Sequence, residues 1–286
     1  MLIRTLEDIH KCNLELLCEF DTFCKKNDIH YFIFGGTLLG AVRNKDLIPW
    51  DDDIDVFLLR NEYEKLLAIP ENEYPDVLKL VGCGENGIFF DFTPRIVYLS
   101  YEGTRKDRPD DSYPYMNNPA IDLFVLDNSC GGLRHRTRVH AQQFVYAMAR
   151  GHRIHRSDDV VRNSSADISR AEKLEWITRP IQSIGKYVPL NIEIACYQFL
   201  SKMFGSGKSL FVSNDTPHGL IREYDASWFD ETVPLEICGM NFPAPSGYDE
   251  LLIFMYGDYM KLPPERSRVP FHFLVCPSNR ADTDGK

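Results

Sequence analysis

Long apolar runs are missing from this sequence of 286 residues. No stretch approaches the ~18 consecutive apolar residues of a membrane span, and charged residues at positions 4, 7, 8 and 11 interrupt the apolar segment that a signal peptide would need. Basic residues are also the minority: 32 stand against 42 acidic ones, for a formal charge of −10, so no global positive field attracts nucleic acid. We expect a cytoplasmic protein that binds no nucleic acid and is soluble or attached peripherally to the inner face of the membrane.

Paired cysteines are absent too. The cysteines are scattered without a CxxC pair, at Cys12, Cys18, Cys24, Cys83, Cys130, Cys196, Cys238 and Cys276. A zinc site or a disulfide framework would need closer or more regular spacing, so reduced and mostly buried thiols are expected. Hydrophobic residues at 44% and charged residues at 26% are close to globular averages, which disfavours wholesale disorder and coiled coils.

Hydrophobic periodicity predicts an α+β fold with a mixed sheet and flanking helices. Strands are expected at residues 31–34, 56–59, 95–101 and 120–126. Helices are expected at residues 2–27, 37–42, 62–68, 135–153, 168–177, 191–204 and 247–256. We predict three regions: a catalytic core at 1–130, an added helical subdomain at 131–205, and a C-terminal element at 206–286 that packs back on the core.

The first predicted strand ends at a pair of glycines, Gly35 and Gly36, where a helix starts. Glycines let the chain turn tightly, and a helix N-terminus offers free N–H groups, so this position suits a phosphate group. Thr37 stands where it can cap the helix. A glycine pair is also common in simple turns, so the feature needs support from elsewhere in the sequence.

Asp53 and Asp55 supply that support. They enter the second strand with one residue between them, and alternate side chains of a strand project to the same face. Two carboxylates so close repel each other unless a cation lies between them, and oxygen ligands of this kind suit Mg²⁺. The competing interpretation is a solvated acidic turn over residues 51–55.

A third carboxylate, Asp122, interrupts an otherwise apolar strand. Burial would penalise this charge unless a positive group is near. If the strand lies beside residues 56–59, Asp122 can join the cation held by Asp53 and Asp55. Asp127, at the end of the same strand, is expected to be a turn residue.

Together, these residues resemble a known fold. The Gly35-Gly36-Thr37 turn, the Asp53-Ile54-Asp55 pair and a later strand aspartate are similar to the nucleotidyltransferase fold typified by DNA polymerase beta. Three segments further resemble the LicD family of phosphocholine transferases, which is related to fukutin and fukutin-related proteins: GGTLLGAVRNKDLIPWDDDIDV at 35–56, IDLFVLD at 121–127, and FPAPSGYDELLIFMYGDYMKLPP at 242–264. Family members often carry His-Lys-Gly where this chain has Asn44-Lys45-Asp46.

The resemblance implies a set of roles. Asp53, Asp55 and Asp122 would hold one or two Mg²⁺ ions, and the residues at 35–37 would hold the phosphates of the donor. The implied reaction is Mg²⁺-dependent transfer of phosphocholine from CDP-choline to a hydroxyl of a cell-surface glycan or its lipid-linked precursor, with release of CMP. Such a reaction belongs to lipopolysaccharide or teichoic acid biosynthesis.

Further residues near these motifs receive provisional roles. Asp122 is our candidate general base for the acceptor hydroxyl. Arg43 either neutralises phosphate charge or forms a surface ion pair with the acidic loop, residues 51–55. Choline is a quaternary ammonium that aromatic faces recognise, and the nearest aromatics in the motifs are Trp50 and either Tyr113 or Tyr115.

Two other functions stay open at this point. The same carboxylates would serve a transferase that uses CDP-ribitol, CDP-glycerol or a nucleoside triphosphate. From a different class, the chain could be a non-catalytic cation-binding domain. Access to a lipid-linked acceptor would favour a basic membrane-facing surface, and the arginine-rich run at 134–156 is the candidate for it.

Overall fold

The computed structural model describes residues 1–84, 87–104, 115–129, 131–153, 178–203, 210–213 and 222–273. Its helices are α1 (Leu6–Lys26), α2 (Gly35–Asn44), α3 (Arg60–Ala68), α4 (Gly132–Ala149), α5 (described over 178–185), α6 (Leu190–Lys202) and α7 (Tyr248–Tyr256). Its strands are β1 (Phe32–Phe34), β2 (Ile54–Leu59), β3 (Leu78–Val81), β4 (Arg95–Tyr98), β5 (Ala120–Asn128), β6 (Leu210–Ser213), β7 (Glu223–Asp225), β8 (Thr232–Ile237) and β9 (Met240–Pro245).

The α+β class and the mixed sheet are confirmed. The main sheet has the order β1-β2-β5-β4-β3, while β6 joins β5 to β7 and β8 pairs with β9 in a separate hairpin. Strands β2 and β5 are parallel, and the other pairs are antiparallel. Strands β3, β6 and β7 were not predicted, and β8 and β9 lie at residues 228–272, where only short extended pieces beside a helix are expected from the sequence. The helix predicted at 168–177 lies outside the described residues.

Helix α1 covers one side of the sheet. Thr5 caps its start by accepting a hydrogen bond from the backbone N–H of Asp8, whose side chain accepts one in return from Thr5, as in a capping box. Apolar residues at helical spacing, including Ile9, Leu16 and Phe20, are fully buried against the sheet. The helix ends at Lys26, close to the predicted end at residue 27, and its apolar face belongs to the core.

Aromatic packing holds together the strands that carry the site. Phe57 of β2 is fully buried; its ring stacks on Phe34 at a centroid distance of 3.6 Å and meets Phe124, Tyr224 and Phe229 edge to face. Such contacts add to the hydrophobic stabilisation of a core. The strand ends that bear Asp55 and Asp122 are thus fixed from beneath by close packing.

Helices α4 and α6 pack on a second, smaller apolar cluster, which includes the stacked rings of Phe92 and Tyr197 at 3.6 Å. The three-region division at 1–130, 131–205 and 206–286 stays a prediction. No helix among the described residues is long and apolar enough to cross a membrane.

In the described part of the arginine-rich run, residues 134–153, the arginines do not share one exposed face, and residues 154–156 lie outside the described residues. Arg138, Arg150 and Arg153 are buried, while Arg134 and Arg136 are exposed. Buried guanidinium groups need hydrogen-bond partners from other elements. Arg138, for example, donates a hydrogen bond to the Asn128 carbonyl oxygen at 3.2 Å. The predicted basic surface is therefore wrong for these three side chains, and peripheral membrane contact stays a prediction without it.

Candidate active site

Helix α2 begins against two carboxylates. Gly35 has a φ of +59°, in the left-handed region, and a Cβ added to it would overlap the carboxylate of Asp55. A Cβ on Gly36 would overlap the carboxylate of Asp51. Only glycine allows this close approach, so the helix N-terminus and the acidic loop form one surface.

Thr37 has a different role from the predicted one. The helix begins at Gly35, with Phe34 in the cap position, so Thr37 is not the capping residue. Its buried hydroxyl instead accepts a hydrogen bond from the backbone N–H of Asp55 at 3.1 Å. Thr37 thus fixes the start of β2, where the aspartates are.

The aspartates at 51, 53 and 55 form a cluster of neighbouring carboxylates. Burial and the neighbouring charges of Asp53, Asp122 and Asp51 hold the pKa of Asp55 well above its usual range. Burial and Asp53 raise the pKa of Asp51 to about 8. Neither Asp51 nor Asp55 has a salt-bridge partner among the described residues. Such a set of hard oxygen ligands fits a divalent cation.

Asp122 lies beside this cluster. It is opposite Asp55 in the parallel β2–β5 pair and opposite Arg95 in the β4–β5 pair. Its Oδ1 is 2.8 Å from Arg95 Nε. Arg95 is therefore the positive group that this strand aspartate requires, and it supplies charge balance without a metal ion.

Asp127 is not a turn residue. It lies within β5, near the far end of the strand from Asp122, and is buried. Arg60 donates two hydrogen bonds to its carboxylate, at 2.8 and 2.6 Å. This bidentate pair links α3 to β5, which is a structural role.

The C-terminal segment, defined here as residues 257–273, meets the acidic loop through Asp52. The buried Asp52 carboxylate accepts backbone hydrogen bonds from Phe271, His272 and Phe273, at 3.2, 2.8 and 2.7 Å. His272 Nε2 consequently lies 2.9 Å from Asp53 Oδ2. Ligand atoms of Asp52, Asp53 and His272 lie within 4.8 Å of one another, so this group could also hold a metal ion.

Arg43 and Trp50 lie together at the edge of the site. The guanidinium carbon of Arg43 is 5.7 Å from the Trp50 ring centroid, and that of Arg268 is 5.5 Å from it. Arg43 makes no salt bridge within the described chain, which leaves the predicted surface ion pair without support. A choline group at Trp50 would meet two positive charges.

The other aromatic candidates are placed as follows. Tyr113 lies outside the described residues. Tyr115 is exposed, with Lys79 Nζ 5.6 Å from its ring centroid. Tyr256, at the end of α7, is partly exposed and lies near the acidic cluster, where desolvation of its hydroxyl and then the charges of Asp55, Asp51 and Asp53 raise its pKa. The choline-binding residue therefore stays a prediction.

Sequence reasoning missed three site residues. Asp51 has the same two-residue spacing from Asp53 as Asp53 has from Asp55, so the same spacing argument would have found it. Arg268 and His272 have no comparable signal, because each reaches the site through contacts about 220 residues away, such as the Asp52–Phe273 hydrogen bond with its separation of 221 residues.

Comparison with known proteins bears on this site. Residues 28–146, which contain the glycines and the aspartates, match the family model described as LicD/FKTN/FKRP, nucleotidyltransferase domain. The lipopolysaccharide cholinephosphotransferase LicD of Haemophilus influenzae is 26% identical over 286 aligned residues, covering 94% of this chain and 96% of that protein. Uncharacterized proteins of Rickettsia prowazekii and Rickettsia typhi are each 42% identical over 48 residues, 17% of this chain and 18% and 16% of theirs. The chain therefore carries a LicD/FKTN/FKRP family domain at residues 28–146 and is similar to a LicD protein along most of its length.

Proposed function

We propose that this chain is a phosphotransferase that moves phosphocholine from CDP-choline to a hydroxyl of a glycan or a lipid-linked glycan precursor and releases CMP. The observation that carries the proposal is the cluster of Asp51, Asp53 and Asp55 against the glycine-led N-terminus of α2. The similarity to a lipopolysaccharide cholinephosphotransferase supports the same class of reaction. The cytoplasmic location stays a prediction.

Asp53 and Asp55 would hold Mg²⁺ in this proposal, with Asp122 as the third predicted ligand. Asp52 is a weaker candidate, because its oxygens already accept three backbone hydrogen bonds. The charge on Asp55 has no such compensation among the described side chains. When bound, the ion would neutralise charge on the phosphate oxygens and orient them.

The residues of the chain itself would align the reactants. Backbone N–H groups at Gly35 and Gly36 would bind phosphate oxygens. Asp122 would take the proton of the acceptor hydroxyl, with Arg95 holding the carboxylate in place. The hydroxyl oxygen forms the new bond to phosphorus, the bond from phosphorus to the CMP oxygen breaks, and CMP leaves with the electron pair.

Donor binding tests the proposal. Calorimetry would measure binding of CDP-choline, CDP-ribitol, CDP-glycerol and CTP, each with and without Mg²⁺, to the wild type and to Asp53→Asn. The matched control is Asp76→Asn, which removes an exposed carboxylate away from the site. We expect Mg²⁺ to strengthen CDP-choline binding, and Asp53→Asn to lose that Mg²⁺-dependent gain while Asp76→Asn retains it.

Other outcomes would change the assignment. Preferential binding of another CDP-alcohol or of CTP would retain the metal site and overturn the choline donor. Absence of binding by every donor would favour the non-catalytic cation-binding domain. Full retention of Mg²⁺-dependent binding by Asp53→Asn would remove Asp53 from the metal site.

A further inference from the structure

Two arginines from distant parts of the chain meet at one indole ring. Arg43 lies in the last turn of α2, and Arg268 follows the 3-10 turn Glu265–Ser267 in the C-terminal segment. Their guanidinium carbons are 5.7 and 5.5 Å from the Trp50 ring centroid. Trp50 immediately precedes Asp51, so the pair lies at the border of the acidic cluster.

Neither arginine has a carboxylate partner among the residues that the structure describes. Arg43 donates from Nε to the Asn44 side chain at 3.0 Å and from Nη1 to the Tyr259 carbonyl at 3.4 Å. Its Nη2 is buried without a hydrogen-bond partner. Arg268 donates from Nε to the Pro263 carbonyl at 2.8 Å. All of these acceptors are neutral.

Placing two unpaired guanidinium groups together costs free energy. Burial and the charge of Arg268 lower the pKa of Arg43, and the charge of Asp51 only partly opposes that effect. Stacking on an indole ring orients a guanidinium group but leaves its charge uncompensated. An oxyanion held by both groups would supply the missing hydrogen-bond acceptors and the missing charge.

We propose that Arg43 and Arg268, oriented by Trp50, bind the diphosphate of the nucleotide donor. Arg268 is thereby a substrate-binding residue that the C-terminal segment brings to the site. The inference rests on the proposed function for the identity of the donor, whereas the anion site itself follows from the two guanidinium groups. Trp50 then positions the arginines and does not contact choline.

Binding of inorganic pyrophosphate without metal tests the anion site. Calorimetry in EDTA would compare the wild type, Arg268→Gln and Arg268→Lys. The matched control is Arg266→Gln, which removes an exposed positive charge two residues away on the same segment. Because charge-assisted hydrogen bonds are among the stronger ones, we expect Arg268→Gln to weaken binding about tenfold or more. The lysine variant should lose less, and Arg266→Gln should stay within about twofold of the wild type.

Three results would overturn the proposal. The first is undetectable binding of pyrophosphate by the wild type. The second is equal binding by the wild type and Arg268→Gln. The third is equal weakening of binding by the Arg268 and Arg266 variants, because that result would mean that net charge alone attracts pyrophosphate. Thermal melting checks each variant for folding, and Arg43→Lys provides an independent variant if Arg268→Gln does not fold.

A second arm distinguishes the donor from another phosphate source. CDP-choline with Mg²⁺ should lose affinity in Arg268→Gln about as much as pyrophosphate does. Loss of pyrophosphate binding alone would overturn the donor assignment and point to a phosphate on the acceptor. If the wild type binds pyrophosphate but not CDP-choline, the proposed function fails while the anion site stands.

Discussion

The two sides of the candidate site are built in different ways. The acidic side, with Asp51, Asp53 and Asp55, lies at the start of β2, between neighbouring strands and above a packed aromatic core. Among its described residues, the C-terminal segment contains one 3-10 turn as its helical structure. Hydrogen bonds to Asp52 attach this segment to the acidic loop. The acidic side is therefore a scaffold, and the C-terminal segment is a component docked on it.

The acidic side and the C-terminal segment also differ in charge. The acidic side is a cluster of carboxylates that repel one another, whereas the C-terminal segment contributes Arg268 and His272 to it. A phosphate donor with a divalent cation needs both signs of charge within a few ångströms. In this protein the docking of one segment on one buried carboxylate brings the two signs together.

The largest expected effect is on the acidic side. Asp55→Asn should lower the transfer rate by about 10³-fold or more, because the proposed metal site loses a ligand. The raised pKa of Asp55 also means that its ionised form destabilises the folded protein near neutral pH. The variant should therefore melt at a higher temperature than the wild type in EDTA, and Mg²⁺ should no longer raise its melting temperature.

Asp76→Asn is the control for this comparison, since it removes an exposed carboxylate. Activity of Asp55→Asn within tenfold of the wild type would contradict its place in the metal site. A lower melting temperature in EDTA would contradict the uncompensated charge.

The second effect is on the docking of the C-terminal segment. Asp52→Ala removes the acceptor of three backbone hydrogen bonds, and we expect a loss of about 2–4 kcal/mol in stability. Transfer activity should fall about 10²-fold, because Arg268 and His272 lose their positions. Hydrogen exchange should show reduced protection at residues 271–273.

Asp52→Asn retains one acceptor oxygen and should fall between the alanine variant and the wild type. If Asp52→Ala loses stability but keeps full activity, the C-terminal segment does not contribute to the reaction. In that case the acidic side alone would form the site.

Local spacing explains what could be predicted from the sequence. Strand alternation placed Asp53 and Asp55 on one face, and an apolar pattern around Asp122 indicated a neighbouring strand. Parallel pairing then brings Asp55 and Asp122 opposite each other. The glycine pair was visible because a tight turn into a helix has its own residue signature.

Long-range partners explain what could not be predicted. Asp127 looked like a turn residue because its partner, Arg60, lies on another element. The arginine run looked like a surface because the groups that bury Arg138 and Arg153 come from other segments. The contact between Arg268 and Trp50 depends on a fold that no local pattern encodes.

The third effect concerns the contact between α2 and the acidic loop. Gly36→Ala places a Cβ where the Asp51 carboxylate is, so the carboxylate must move. Alanine is favoured over glycine in a helix by about 1 kcal/mol. We therefore expect activity to fall about tenfold with little change in stability, as measured by steady-state rates and thermal melting.

Gly82→Ala is the matched control, because nothing lies within 4 Å of a Cβ at that position. It should leave the rate unchanged. A Gly36→Ala variant with wild-type activity would show that the position of Asp51 is unimportant for the reaction.

The smallest effect on activity is expected from a change in the helical region, which contains α4 and α6. This change tests whether the candidate site works independently of that region. Burial of Glu193 in α6 raises its pKa to about 7, although His152 Nε2 is 3.3 Å from its carboxylate. Between about pH 4.5 and 7 the folded protein holds a proton that the unfolded chain releases, so stability falls as the pH rises through this range. Glu193→Gln should remove that slope and stabilise the protein by about 1–3 kcal/mol at pH 8. Denaturant unfolding at pH 5 and pH 8 measures the slope. An unchanged slope would mean that the charge of Glu193 is compensated in the fold, and a change in transfer rate beyond twofold would couple the helical region to the site.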